Sequence, residues 1–127
     1  MLRVTLTLLL FLLPDQPALS QSLQPTKISA NGIELHYIVQ GQGEPLVLLH
    51  GGQGDYRSWE TLMKVLSPQY RVISYSRRYN YLNKNPLTAK YHSAYTEADD
   101  LAAFIRKLKL GRVHLVGTSM GAFTALD

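Results

Sequence analysis

Apolar and polar residues alternate between positions 33 and 40, and this alternation predicts a half-buried β-strand. Its apolar positions are Ile33, Leu35, Tyr37 and Val39. The preceding Asn31-Gly32 dipeptide is typical of a two-residue hairpin turn, so a first strand is predicted over Thr26–Ala30. Residues 46–49 form a continuous apolar run, which is typical of a strand covered on both faces.

Apolar residues recur at helical spacing between positions 59 and 66. The apolar residues at that spacing are Trp59, Leu62, Met63 and Leu66. Ser58 is the predicted N-cap, and Pro68 ends the pattern. The sequence therefore predicts a short helix after the third strand.

A second helix is predicted after Thr96, which is placed to cap it. Its first turn is acidic and its last turn basic, both of which favour the helix dipole. The residues concerned are Glu97, Asp99, Asp100, Lys107 and Lys109. Gly111 suits the left-handed residue that ends such a helix.

The segments 71–75 and 113–116 predict two further strands, and Gly117 opens a turn from the second of them into another helix. A hairpin followed by β-α-β-α-β-α predicts an α/β fold, with a mostly parallel sheet and helices on both faces. The polar and aromatic segment 76–92 between the fourth strand and its helix predicts a long loop.

The first 20 residues have the pattern of a signal peptide. Arg3 gives a positive end, residues 4–13 are apolar, and Ala18-Leu19-Ser20 has small residues at the positions that signal peptidase requires. A ten-residue apolar run is too short to span a bilayer. We therefore expect export, secreted or periplasmic, with residues 21–127 as the mature chain, although a retained N-terminal helix is the alternative.

Composition fits one small globular domain, since 46% of the 127 residues are hydrophobic and 17% are charged. The net charge of +4 is spread along the chain and indicates no particular partner. The absence of cysteine excludes disulfides, thiolate metal sites and a cysteine nucleophile. No phosphate-loop or metal-ligand spacing occurs, so neither a cofactor nor a metal is expected.

The main candidate for a catalytic motif is Gly117-Thr118-Ser119-Met120-Gly121, a G-x-S-x-G pattern between a predicted strand and a predicted helix. In that context the pattern predicts a nucleophile elbow, in which a strained turn exposes the Ser119 hydroxyl and small neighbours let strand and helix approach. The Met120 amide would then point to where an oxyanion forms. An ordinary glycine-rich turn is the alternative.

His50-Gly51-Gly52 ends an earlier strand, where this architecture needs a second amide donor, and Gly52 N–H is the candidate. His50 itself is expected to stabilise the turn rather than to act as a base. In the loop beyond residue 75, tyrosines interleave with Arg77, Arg78 and Lys84. Such residues can bind nucleic acid, but we favour a solvated loop at the edge of the active site, and no nucleic-acid partner is expected.

Together these segments resemble the N-terminal half of an α/β-hydrolase-fold protein. The matching stretches are 43–52, 70–73, 99–101 and 113–121. The resemblance implies that Ser119 is the nucleophile and that the amides of Gly52 and Met120 form the oxyanion hole. One departure is Ser76-Arg77-Arg78-Tyr79, where many members carry an acidic residue followed by Arg and Gly.

In this family the order is nucleophile, acid and histidine, and residues 120–127 contain no histidine. On a regular helix Asp127 would lie about 12 Å along the axis from Ser119, too far to orient a base beside it. The upstream histidines match no family position for the base, so it is uncertain whether this chain alone is an enzyme. We expect the polypeptide as written to be inactive and, because strand 113–116 would have an open edge, prone to aggregation.

Two functions remain open. The first is an exported serine hydrolase that acts on a small ester or amide, or the nucleophile-bearing part of one. The second is a non-catalytic module that binds a ligand or partner, or an inactive truncated product. The substrate and the oligomeric state do not follow from the residues present.

Overall fold

The computed structural model describes residues 23–88 and 93–126. The predicted signal peptide, residues 89–92 of the predicted loop, and Asp127 lie outside the described residues.

The described residues contain a five-stranded sheet in the order β1-β2-β4-β3-β5. The strands are β1 (Thr26–Ala30), β2 (Ile33–Gln40), β3 (Glu44–Leu49), β4 (Tyr70–Tyr75) and β5 (His114–Gly117). The hairpin strands contribute the antiparallel pairings, β1 with β2 and β2 with β4. The strands β4, β3 and β5 are parallel, so their carboxyl ends meet at one edge of the sheet.

The hairpin turn has the geometry that its sequence predicts. Asn31 and Gly32 both have positive φ angles, 49° and 72°, as a type I′ turn requires. The turn sets the register of the hairpin, in which Ala30 pairs with Ile33. This pairing confirms the first strand predicted from the dipeptide.

Helices cover both faces of the sheet, as expected for an α/β fold. One face packs against α2 (Ala94–Lys107) and α3 (Met120–Leu126), and the other against a 3-10 turn (Tyr56–Trp59) and α1 (Glu60–Leu66). The core between α2 and the sheet includes Leu35, Val47, Leu49, Ile73, Tyr75, Leu101 and Phe104. The core beneath α1 includes Ile38, Leu46, Leu48, Tyr56, Met63 and Val72.

Both predicted N-caps are wrong. A 3-10 turn precedes α1, and the N-cap of α1 itself is Trp59, whose side chain makes no capping hydrogen bond. The carboxylate of Asp55, not Ser58, accepts from the N–H of Arg57 at 2.8 Å and caps the 3-10 turn. The Ser58 hydroxyl instead accepts from the N–H of Asp55 at 3.1 Å, which completes a capping box. Likewise Ser93, not Thr96, caps α2, because its hydroxyl accepts from the N–H of Thr96 at 3.2 Å.

The second helix also ends earlier in the structure than the sequence predicts. The helix ends at Lys107, and the left-handed residue that follows is Lys109, with φ of 53°. Gly111 also has a positive φ, 68°, but it lies in the loop to β5. A C-terminal cap at a non-glycine residue gives no compositional signal, which explains the error.

The strand β5 lies at the edge of the sheet and pairs only with β3 among the described strands. Its side chains Leu115 and Val116 are 36% and 37% exposed. The open apolar edge predicted for this strand is therefore present in the structure.

Candidate active site

The turn between β5 and α3 holds Ser119 in a left-handed conformation, with φ of 50°. A non-glycine residue in that region carries backbone strain, which tends to occur at functional sites. The turn is anchored to the neighbouring strand, because the N–H of Thr118 donates to the carbonyl of Leu49 at 3.2 Å. The strand-to-helix turn predicted at 117–121 is therefore present, and Ser119 precedes the first residue of the helix.

The two glycines of the motif are required by close backbone packing. A Cβ on Gly117 would lie 2.5 Å from the carbonyl oxygen of Gly121. A Cβ on Gly121 would lie 2.4 Å from the carbonyl oxygen of Leu49. Both distances are shorter than any real contact, so only glycine allows the turn, the helix and β3 to meet.

The glycines that follow β3 face this turn. A Cβ on Gly51 would lie 3.5 Å from the Cβ of Ser119, and a Cβ on Gly52 would lie 3.9 Å from the Cγ of Met120. The parallel pairing of β3 and β5 produces this proximity, because both segments leave the same edge of the sheet. The structure thus brings together Gly52, Ser119 and Met120, the three residues to which the sequence assigns chemistry.

His50 is fully buried, and both of its ring nitrogens have partners. Nδ1 lies 2.6 Å from the carbonyl oxygen of Gly51, and Nε2 lies 3.0 Å from the backbone nitrogen of Arg77. Because a carbonyl accepts and an N–H donates, Nδ1 carries the proton and Nε2 accepts. Burial lowers the pKa of His50 to about 4. His50 is therefore a neutral turn-stabilising residue, in agreement with the sequence interpretation.

Two arginines expected in a solvated loop are buried. Arg77 and Arg78 are only 3% and 7% exposed, so the expectation of a solvated loop is wrong for both of them. Arg77 pairs with the carboxylate of Glu97 and also donates to the carbonyl of Gly51 at 3.0 Å. Buried charges require such partners, since an unpaired charge is costly away from water.

Arg78 forms a second buried ion pair with Asp100. Its Nε and Nη2 lie 2.7 and 2.6 Å from the two carboxylate oxygens, a bidentate arrangement. Asp100 also accepts from Asn31 at 2.7 Å. This pair thus ties the end of β4 and helix α2 to the hairpin turn.

Sequence reasoning missed both ion pairs, having assigned Glu97 and Asp100 to the helix dipole. The available signal was their spacing, because residues three apart lie on one face of a helix. Two consecutive arginines directly after a buried strand are the natural partners of such a face. The two positive charges after β4 and the two negative charges on this helix face would have predicted two ion pairs. They would not have predicted which arginine pairs with which carboxylate.

A pocket of about 250 Å³ lies beside the turn. It is lined by Gly52, Arg77, Tyr79, Asn80, Ser93, Glu97 and Met120. Asn80 extends over the glycine loop and donates to the carbonyl of Gly52 at 2.8 Å. The pocket is therefore lined by both residues that carry the candidate amides, together with polar side chains, and its size suits a small molecule.

Within residues 23–88 and 93–126, no group of three or more histidine and carboxylate side chains is arranged to hold a metal ion. No helix in the described part of the chain is both long enough and apolar enough to cross a membrane.

A family model described as the alpha/beta hydrolase fold matches residues 44–126. The chain is 33% identical over 106 residues to 2-hydroxy-6-oxo-6-(2'-aminophenyl)hexa-2,4-dienoic acid hydrolase of Metapseudomonas resinovorans, covering 78% of this chain and 35% of that protein. It is 30% identical over 95 residues to the soluble epoxide hydrolase of a Corynebacterium strain, covering 75% and 32%.

Solved structures give the same result. The crystal structure of an epoxide hydrolase from Vigna radiata superposes with a TM-score of 0.77 at 26% identity, covering 81% of this chain and 34% of that one. The chain therefore spans about a third of the length of the proteins it matches.

Proposed function

The chain belongs to the α/β-hydrolase family, and from this premise we propose that it carries the nucleophile of an exported serine hydrolase with esterase-like activity. Its relatives in the comparisons include hydrolases of small molecules. The serine nucleophile, the oxyanion hole and export are the parts of the proposal that go beyond that membership.

One observation carries the proposal. Ser119 has a φ of 50° in the turn between β5 and α3, and its Cβ faces the glycine loop that follows β3. A hydroxyl on a strained strand-to-helix turn, opposite small residues, is the arrangement in which a serine can reach a substrate carbonyl. In a regular helix the same hydroxyl would lie against the preceding turn.

The proposed reaction is acyl transfer to water. The Ser119 oxygen attacks the carbonyl carbon, its proton passes to a base, and the carbonyl oxygen becomes an oxyanion that accepts from the amides of Gly52 and Met120. Collapse expels the alcohol or amine, which takes the proton from the base. Water then gives a proton to the base and attacks the acyl-enzyme, and departure of the acid restores the Ser119 hydroxyl. The chain spans about a third of the length of its relatives, so we propose that the base and its acid lie in the part of the family fold that follows the matched region.

The substrate class is a small ester or amide. The pocket beside the turn has a volume of about 250 Å³, which suits a small substrate. Export is proposed from residues 1–20 alone, and the N-terminus of the exported protein is expected to be Gln21.

The test is labelling by a fluorophosphonate, which reacts with activated serines. The protein produced from its natural reading frame is expected to be labelled, whereas its Ser119→Ala variant is not. Thr118→Ala is the matched control, since it removes a neighbouring hydroxyl and keeps that of Ser119. Equal labelling of the wild type and Ser119→Ala, or no labelling of the folded wild type, would contradict a serine nucleophile at this position.

A further inference from the structure

The two candidate oxyanion donors lie on separate segments, and a buried ion pair connects them. The amide of Gly52 belongs to the loop after β3, and the amide of Met120 begins α3. Between the two segments lie Arg77 at the end of β4 and Glu97 on α2, with 3% and 8% of their surfaces exposed.

The first half of the connection fixes the Gly51–Gly52 peptide unit. The Gly51 carbonyl oxygen accepts from Nδ1 of His50 at 2.6 Å, from Nη2 of Arg77 at 3.0 Å and from the N–H of Gly54 at 3.2 Å. A peptide unit is planar and trans, so the direction of its C=O fixes the opposite direction of its N–H. The N–H that these donors orient is that of Gly52.

The second half of the connection reaches α3. Arg77 pairs through Nη1 with Oε2 of Glu97, and the same oxygen lies 3.3 Å from the hydroxyl of Thr124. That hydroxyl also lies 3.0 Å from the carbonyl oxygen of Met120. Thr124 is 1% exposed, so these contacts lie in the interior of the fold.

The positive charge of Arg77 also affects the Gly52 N–H, in addition to orienting it. A cationic donor on a carbonyl polarises the peptide unit and strengthens the N–H at its other end as a donor, and the effect is larger where water is excluded. Glu97 keeps the guanidinium in place and neutralises it, which makes a buried arginine tolerable at this position.

We propose that Arg77 and Glu97 are positioning residues of the oxyanion site, which orient the Gly52 amide and hold it in register with the Met120 amide. This inference rests on the proposed function, because it assigns the two amides to oxyanion binding. Neither side chain touches the reacting atoms, and their contribution appears only where negative charge develops on the substrate oxygen. Removing them therefore lowers kcat and leaves KM nearly unchanged.

The test uses the protein from its natural reading frame and p-nitrophenyl acetate as a general ester probe. Removing one member alone leaves a buried unpaired charge and risks unfolding, so the informative variant is Arg77→Met with Glu97→Met. This double variant is expected to fold and to lose about 10- to 100-fold in kcat and in fluorophosphonate labelling rate, somewhat less than the loss of a whole oxyanion donor.

The matched control is Arg78→Met with Asp100→Met, which removes an equally buried ion pair that holds the hairpin turn through Asn31. Its kcat per folded molecule is expected to stay within about threefold of wild type, since its pair orients neither proposed amide. Circular dichroism and the denaturation midpoint establish the folded fraction of both double variants.

The outcomes separate the two proposals. A folded Arg77/Glu97 double variant with wild-type kcat, or a control that loses as much kcat, overturns the positioning role alone. A change confined to KM overturns it as well, because it indicates substrate contact. Labelling that survives Ser119→Ala overturns the proposed function, and the positioning role with it.

Discussion

At the scale of single residues, the site depends on the strained backbone of Ser119 and on the buried, neutral state of His50. Ser119 has a positive φ, and His50 is held neutral between a carbonyl and an amide N–H. The sequence predicted where the glycines and the serine lie, because only small residues allow the close approaches at Gly117 and Gly121. It did not predict that Arg77 is buried, because burial of a charge depends on a partner 20 residues away.

The neutral state of His50 makes stability depend on pH. Its pKa is lowered from 6.5 to about 4 in the folded protein, so between these values the unfolded chain binds a proton that the folded chain does not. This part of the stability is complete above about pH 6.5 and is lost as the pH falls toward 4. The contribution is at most about 3–3.5 kcal/mol, at 1.36 kcal/mol for each pKa unit.

Denaturant titrations of the wild type and of His50→Asn between pH 7 and pH 4 would measure this contribution. The free energy of unfolding of the wild type is expected to fall more steeply with decreasing pH than that of the variant. Parallel curves would show that His50 does not carry the effect.

At the scale of elements, the alternation and spacing of apolar residues predicted all five strands and the helices on both faces of the sheet that the structure describes. The errors lie at helix ends, where Asp55 caps the 3-10 turn before α1 and Ser93 caps α2, and neither predicted residue, Ser58 or Thr96, is an N-cap. Several polar residues precede each helix, and which one caps it is decided by where the chain leaves the preceding segment. Local sequence does not contain that information.

The loop after β4 is another feature that composition alone did not reveal. Asn83 bridges this loop to β2, because its carbonyl oxygen accepts from the N–H of His36 at 2.9 Å and its amide donates to the carbonyls of Ser76 and Arg77 at 2.9 Å each. Asn85 makes a similar bridge to Glu34. A segment rich in polar residues is thus fixed to the sheet rather than free in solvent.

Replacing Asn83 by Ala is expected to lower the free energy of unfolding by about 1–3 kcal/mol, because the part-buried N–H of His36 and carbonyl of Ser76 lose the hydrogen bonds that Asn83 makes. Hydrogen exchange at the amides of residues 76–83 should increase with it. Lys84→Ala, an exposed neighbour, is the control and should change neither quantity appreciably. Unchanged exchange in Asn83→Ala would show that the loop is held by other contacts.

At the scale of the whole molecule, the described part of the fold leaves one apolar surface open. It consists of the edge strand β5 and the outer side of α3, where Phe123 and Leu126 are 61% and 85% exposed. An unpaired strand edge beside exposed apolar side chains is a site of self-association. The sequence predicted the open edge from the position of the last strand, but the exposure of α3 emerged only from the structure.

Residues 21–127 expressed alone are accordingly expected to self-associate. Val116→Lys, which places a charge on the edge strand, should reduce that association, as measured by analytical ultracentrifugation at several concentrations. Val65→Lys is the matched control on α1, since Val65 is 67% exposed on another face. A monomeric wild-type polypeptide, or equal effects of the two lysines, would contradict association through β5.

The central claim concerns Ser119 and the two amides opposite it, and the most direct test is a crystal structure of the fluorophosphonate adduct of the protein from its natural reading frame. We predict a covalent bond from the Ser119 oxygen to phosphorus, with the phosphonyl oxygen within hydrogen-bonding distance of the backbone nitrogens of Gly52 and Met120. An adduct on a different residue, or a phosphonyl oxygen directed away from Gly52, would contradict the account.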